Sequence, residues 1–263
     1  MNAVKERPLK GRTPKERIVK EYTVRRTEIL DVAQRLVQTK GYEQMTIQDI
    51  LDELQISKGA FYHYFAAKQD LLEALIERFR VQAEQIVVVI VQEPNQPALE
   101  KLVRLFTTLS RWKTTQKEFF LALLRVWYAD DNALIRHKTR LATVKMVTPY
   151  LQIIIEQGLR EGVLTTSYPT QVGAVVLGLL NDLGDAVAPH FLTLAQMPDP
   201  LAAIEETITA YTDAIERVLG APPGSLPLID SQVLRLWVDA LREHALQPHP
   251  NPPQGLTFTP KSD

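Results

Sequence analysis

From about residue 20 to about residue 220, apolar side chains recur at spacings of three and four, and no stretch sustains the alternation of a half-buried strand. A chain patterned in this way buries its apolar stripes by packing helix on helix, so the expected fold class is all-α. The first helix carries Ile29, Ala33, Leu36 and Val37 on one stripe, and Gly41 after Lys40 suits the left-handed position that ends a helix. Thr46 then offers an N-cap, Asp49 the acid of a capping box, and Met45 with Ile50 a hydrophobic staple. That second helix is short, because Leu54-Gln55-Ile56-Ser57 interrupts it and Ser57 can cap a third. Lys68 opens a long helix with Leu71, Leu72, Leu75, Ile76 and Phe79 facing inward. Further helices are expected near 97–113, 116–128, 132–160 (with Pro149 as a kink site), 169–188 and 200–219. Ala221-Pro222-Pro223-Gly224 breaks the pattern, 231–245 reads as one more amphipathic helix, and the proline-rich stretch 247–263 reads as disordered.

Composition narrows the function classes. The chain has 263 residues, 45% hydrophobic and 23% charged, which fits a globular protein with a packed core. There is no cysteine, which excludes disulfides, thiolate nucleophiles and Cys-ligated zinc. The N-terminal MNAVKERPLK lacks the apolar core of a secretory signal, and the longest aliphatic run, 86–91, is too short to span a bilayer; the expected location is the cytoplasm. Net charge is −1 but uneven: residues 1–26 hold nine Lys/Arg against three Glu, so the other 237 residues carry −7. Such an arm is either a solvated tail or a segment that meets a polyanion.

Residues 57–65 read SKGAFYHYF, with four aromatics in the last five positions of a chain only 7% aromatic. The cluster can be core, a stacking box for a cofactor, or a surface for a partner. On a helical wheel Phe61 and Phe65 share one face and turn inward, while Gly59, Ala60 and His63 lie opposite and Tyr62 and Tyr64 flank. A helix buried all round has no use for Gly, Ala and His opposite its Phe pair. A helix pressed into a DNA groove does: glycine permits close approach and an alanine methyl can meet a thymine methyl. The tyrosine hydroxyls can reach phosphates, and Lys58 and Lys68 add charge at either end. With the capped helix before it, this makes a helix–turn–helix, whose second helix enters the major groove. Thr46 and Gln48 then approach phosphate or a base edge, and Arg25 and Arg26 stand where an arm can follow the neighbouring backbone.

Residues 25 to about 75 resemble the DNA-binding domain of the TetR family of bacterial transcriptional regulators. Gly41, Tyr42, Thr46, Ile47 and Ile50 fit one block of the family pattern, and Ser57, Gly59, Phe61, Tyr62, Tyr64, Phe65, Lys68 and Leu71 fit the next. Two positions depart: Leu51 stands for a common alanine, and Leu54-Gln55-Ile56 replaces the usual Ala-Gly-Val turn. The resemblance implies DNA contacts by Thr46, Gln48, Lys58, Gly59, Ala60, Tyr62, His63, Tyr64 and Lys68. It implies a three-helix DNA-binding domain (23–70) and a helical ligand-binding and dimerisation domain (71–220), between the basic flexible arm (1–22) and the extension of one helix and a proline-rich tail (221–263) read from charge and composition. It further implies a homodimer through 169–188 and 200–219, with Val175, Val176, Leu179, Leu180 and Leu183 as apolar contacts and Gly173, Gly178 and Gly184 allowing close packing.

For a small-molecule effector, Phe120, Trp127 and Tyr128, together with Trp112 and Phe119, can line an apolar pocket, and Arg125, Asn181 and Asp185 can supply polar groups. Two rivals stand beside this. In one, a protein partner replaces the small molecule and docks on an apolar stripe of the last helix, Leu234, Trp237, Val238 and Leu241. In the other the chain is an all-helical enzyme or carrier, but its histidines (63, 137, 190, 244, 249) are dispersed and no spacing suits metal ligands or a nucleophile–base pair. The expectation is a homodimeric repressor, without enzymatic activity, cofactor or metal, released from its operator by a hydrophobic or amphipathic ligand.

Overall fold

The structure is a computed structural model that describes residues 14–193 and 199–246. Among these residues it is all-α: ten α-helices and one 3-10 turn, with no strand. The first 13 residues of the expected basic arm and the proline-rich stretch 247–263 lie outside the described residues.

Helix α1 runs Pro14–Lys40, so residues 14–22 are helical rather than part of an irregular arm. Proline at its start carries no N–H to leave unpaired and has φ preset for a helix. Ile29, Ala33 and Val37 form its wholly buried stripe. Gly41 closes it at φ +83, its N–H donating to the Val37 carbonyl at 2.9 Å. Helix α2 (Ile47–Leu54) opens with the capping box read from the sequence: Thr46 Oγ1 accepts the Asp49 N–H at 3.1 Å, and the Thr46 N–H donates to Asp49 Oδ2 at 2.8 Å. Met45 and Ile50 are fully buried as its staple.

The turn that lacks its usual glycine keeps glycine's conformation. Gln55 sits left-handed at φ 51, ψ 44, with its N–H on the Leu51 carbonyl, and its side-chain amide donates to the Asp52 carbonyl. Helix α3 (Lys58–Tyr62) follows, with Ser57 Oγ accepting the Ala60 N–H at 3.1 Å. Helix α4 (Lys68–Val91) begins where Asp70 Oδ2 accepts the Ala66 and Ala67 N–H groups, at 2.9 and 3.2 Å.

The remaining helices are α5 (Ala98–Thr115), α6 (Lys117–Tyr128), α7 (Ala133–Glu161), α8 (Val172–Leu192), α9 (Pro200–Leu219) and α10 (Ser231–Leu246). Within the described residues the chain divides into two compact units, 14–85 with 118–143 and 86–117 with 144–246. In the first, Phe79 and Phe119 stack at 4.4 Å between ring centroids and are buried with Leu71, Leu72 and Leu75. In the second, α8 packs along α9, and Val172, Val176, Ile204, Ile208 and Ile215 are buried. Helix α8 is long and apolar enough to cross a membrane by length and composition alone.

The second unit buries two charged side chains. Lys101 donates to the Val91 carbonyl at 3.2 Å and to Gln157 Oε1 at 2.9 Å. Glu216, 4% exposed, accepts the N–H groups of Gly224 and Leu226, each at 2.8 Å. That carboxylate staples the proline-rich turn to α9 and carries Leu226 and Leu228 into the core. Helix α10 then packs on α9 and α5. The stripe expected as a free docking surface is therefore spent inside the unit. Leu234, Val238 and Leu241 are buried, and Trp237 Nε1 donates to Thr114 Oγ1 at 3.0 Å. The sequence shows the stripe but not which neighbour covers it.

Candidate nucleic-acid interface

Helix α3 is held from one side only. Phe61 and Phe65 are 0% and 3% exposed, whereas Lys58, Gly59, Ala60, Tyr62 and His63 are exposed and Tyr64 is half-buried. The wheel drawn from sequence is thus the observed division of faces. At Gly59 the backbone is ordinary helix, and a Cβ built there would meet only Ser57 Oγ, at 3.9 Å. Nothing inside the fold requires a glycine at this position. Lys58 Nζ lies over the Tyr62 ring at 5.9 Å from its centroid, keeping cation and hydroxyl together on the exposed side.

Lys68 is more constrained than a free phosphate ligand. Its Nζ sits 4.5 Å from the Tyr42 ring centroid and donates to the Glu43 carbonyl at 3.1 Å, while the Tyr42 hydroxyl donates to the Lys68 carbonyl at 3.2 Å. Burial pulls the Lys68 ammonium below its usual pKa, against the pull of Glu43 and Asp49, and burial raises the Tyr42 phenol. Thr46 and Gln48 are exposed at the start of α2. The Thr46 hydroxyl is shared with Asp49, and Gln48 Nε2 donates to Asp52 Oδ1 at 2.6 Å. Asp49 is drawn down to about 2, first by the Lys40 ammonium at 2.7 Å and then by the Thr46 backbone and hydroxyl.

Arg25 pairs with Glu28 at 2.8 Å on the exposed side of α1. Arg26 lays its guanidinium over the Phe65 ring at 5.1 Å and so touches the end of the helix–turn–helix. One turn earlier is a residue the sequence reading missed. The Tyr22 ring packs on Tyr64 at 4.8 Å and edge-on to His63 at 5.7 Å. Its only signal was its i, i+4 relation to Arg26, which places both on one face of α1.

The expected effector residues divide between the two units: Phe120, Arg125, Trp127 and Tyr128 in the first, Asn181 and Asp185 in the second. Phe120 is half-buried, its ring edge-on to Phe79 at 5.4 Å. Arg136 donates to the Trp127 carbonyl at 2.6 Å and lies over the Tyr128 ring, whereas Arg125 is exposed. Asn181 Nδ2 turns back onto its own helix, to the Leu177 carbonyl at 2.7 Å, and Asp185 is half-buried. Phe119, expected as a pocket wall, is instead core at 1% exposure. An open groove of about 490 Å³ lies elsewhere in the second unit, between Thr165–Tyr168 and Arg217–Val218, and holds none of the expected residues. Among the described residues no group of His, Asp or Glu is clustered to hold a metal.

Known proteins resemble this chain in sequence and in fold. Residues 29–75 match the family described as bacterial regulatory proteins, tetR family. The transcriptional repressor KstR2 of Rhodococcus jostii is 36% identical over 55 residues, covering 21% of this chain and 27% of KstR2. The match thus spans less than a third of the curated relative's length. A TetR-family regulator from Pectobacterium atrosepticum superimposes with a TM-score of 0.57 at 17% identity, over 80% of this chain and all of that one. RolR in complex with resorcinol superimposes with a TM-score of 0.51 at 16% identity, over 89% of this chain and 98% of RolR. At these identities the likeness is one of fold.

Proposed function

From the match of residues 29–75 to the TetR family of bacterial regulatory proteins, we propose that this chain is a TetR-family regulator, a cytoplasmic homodimeric repressor that reads a near-palindromic operator with the exposed face of α3. The observation that carries this is the asymmetry of α3. Phe61 within it and Phe65 just past its end anchor it, while Lys58, Gly59, Ala60 and Tyr62, with His63 at its C-cap, face outward, and no internal contact at Gly59 calls for a glycine. Tyr62, Tyr64, Thr46, Gln48, Arg25 and Arg26 supply phosphate and edge contacts around it, and Lys68, locked to Tyr42, holds α4 at the groove wall. The proteins of this family are non-enzymatic DNA-binding regulators.

Dimerisation is proposed through α8 and α9. On α8 Val175 is 48% exposed and Gly178 half-buried, with the exposed Gln171 just before the helix, while Asp182 accepts the Tyr211 hydroxyl of α9 and the expected contacts Gly173, Val176 and Leu183 are buried within the protomer. A helix this apolar with one uncovered face is what a second copy would cover. Val175→Glu should convert dimer to monomer in sedimentation without loss of helical signal; a dimer that survives it rejects α8 as the interface. A small hydrophobic effector is proposed to release the operator by changing the separation of the two recognition helices, which must match about 34–36 Å of DNA. The RolR–resorcinol complex supports this to the extent that a protein of the same fold accepts a small aromatic.

The test is selection of duplexes from a random-sequence pool, followed by footprinting of the recovered site. A two-fold symmetric footprint with half-sites one turn apart is expected. Failure to enrich any sequence would reject the proposal.

A further inference from the structure

Helix α2 carries three acids, and one of them is paired unlike the others. Asp49 meets the Lys40 ammonium at 2.7 Å, and Glu53 meets the Arg35 guanidinium. The side-chain partner of Asp52 is a neutral amide: Asp52 Oδ1 accepts from Gln48 Nε2 at 2.6 Å. Gln48 and Asp52 are both exposed, one turn apart on the same face of α2. In the DNA-binding reading the start of α2 faces the duplex, where a carboxylate repels phosphate whatever the base sequence. What it supplies in return is control of its neighbour.

The two ends of an amide are not equivalent. Nε2 carries two N–H donors, whereas Oε1 only accepts, as does a carboxylate oxygen. Turned the other way, Gln48 would set Oε1 against Asp52 Oδ1 with no proton between them. Asp52 therefore fixes which end of the amide lies against it, and leaves Oε1 and the second N–H of Nε2 for an outside partner. In the major groove adenine matches that pair, with an N6 donor beside an N7 acceptor. Guanine offers two acceptors, O6 and N7, so Oε1 would meet an oxygen without a proton.

Resting on the DNA-binding reading, we propose that Gln48 reads one adenine in each operator half-site and that Asp52 is the positioning residue that holds its amide in the orientation this needs. Gln48 Oε1 accepts from adenine N6 and Nε2 donates to N7, while the other N–H stays on Asp52. Asp52 thereby raises the preference for adenine over guanine at one position and lowers affinity for DNA of any sequence. The Asp52 carbonyl also accepts from the Gln55 amide, but that bond uses the main chain and survives a change of side chain at 52.

The experiment uses the full chain and a fluorescein-labelled duplex recovered from a random-sequence pool by the wild-type protein. Each adenine of one half-site is changed in turn to guanine, with its partner base, and Kd is measured by anisotropy for wild type, Gln48→Ala, Asp52→Asn and Asp52→Glu. Wild type should show one position at which guanine weakens binding about 5- to 150-fold, and Gln48→Ala should no longer distinguish the two bases there. At that position 7-deazaadenine, which lacks N7, and unsubstituted purine, which lacks the amino group, should each weaken wild type and leave Gln48→Ala unchanged. Asparagine can accept or donate, so Asp52→Asn lets the Gln48 amide turn either way. It should lose most of the discrimination and yet bind an unrelated duplex more tightly than wild type. Asp52→Glu, still charged and acceptor-only, should retain the discrimination. Uniform weakening of every duplex by Gln48→Ala, a preference for guanine at its position, or full discrimination by Asp52→Asn overturns the inference while leaving the DNA-binding reading intact. The analogue duplexes need only the wild-type protein, so they decide even where a variant does not fold: wild-type binding indifferent to both analogues at every adenine overturns the inference. If no duplex is recovered at all, the DNA-binding reading fails and this inference falls with it.

Discussion

Replacing Gly59 by alanine separates what the fold needs from what DNA needs. Gly59 has right-handed helical backbone, and an added Cβ would meet only Ser57 Oγ at 3.9 Å, an ordinary van der Waals distance. Alanine therefore brings no clash, and it removes backbone freedom from the unfolded chain. Its gain over glycine in a helix interior is about 0.5–1 kcal/mol, and the lower end applies in the first turn of a short helix. The exposed face of α3 has the opposite preference if it packs into a groove at the density of a protein interior. A methyl forced into a filled interface costs about 1–3 kcal/mol, or about 5- to 150-fold in Kd. Gly59→Ala should thus raise the urea midpoint slightly while weakening binding to the selected duplex by at least about fivefold. Ser57→Ala serves as the contrast, since it removes the cap on the Ala60 N–H and should cost about 1 kcal/mol of stability. If Gly59→Ala binds the selected duplex as tightly as wild type, DNA does not approach this face closely and the assignment of α3 fails. If it destabilises the fold, the local geometry is wrong.

Other outcomes follow from the same local geometry. Gln55 holds a left-handed conformation that costs a non-glycine residue about 1–2 kcal/mol, so Gln55→Gly should stabilise by about 0.5 kcal/mol after glycine's extra chain entropy, seen as a higher urea midpoint at unchanged m. Asp49 is held near a pKa of about 2, below the ordinary carboxylate value of 3.8. A lowered folded-state pKa gives stability that is complete above the unfolded value and fades as pH falls toward 2. Wild type should lose stability from about pH 4 downward, and Asp49→Asn should lack that part of the acid limb in melts run across pH. Glu216→Ala leaves the Gly224 and Leu226 N–H groups without their acceptor, one of them buried, and should cost about 2–4 kcal/mol. Faster amide exchange at Leu226 and earlier proteolytic cleavage within 221–230 would locate that loss; exchange unchanged from wild type would show that the staple is not needed.

What the sequence made legible was whatever its local rules determine. The capping box at Thr46 and Asp49, the staple of Met45 and Ile50, the left-handed Gly41 and the two faces of α3 each depend on residues within a few positions of one another. All are present as read. The departures are tertiary. No local pattern says that the stripe of α10 is covered by α9 and α5, or that Phe119 stacks on Phe79 rather than facing a ligand. Nor does it say that Tyr22 meets residues some forty positions later. The Gln55 turn is intermediate: its position followed from the pattern, but a left-handed backbone at a residue that is not glycine did not.

The most direct measurement is the affinity of the wild-type protein for its selected duplex against an unrelated duplex of equal length, at one physiological salt concentration. A repressor that reads bases through α3 should prefer the selected duplex by at least about 10³-fold. Equal affinity for the two would mean that the outward face of α3 meets only the phosphate backbone, and would contradict sequence-specific regulation by this chain.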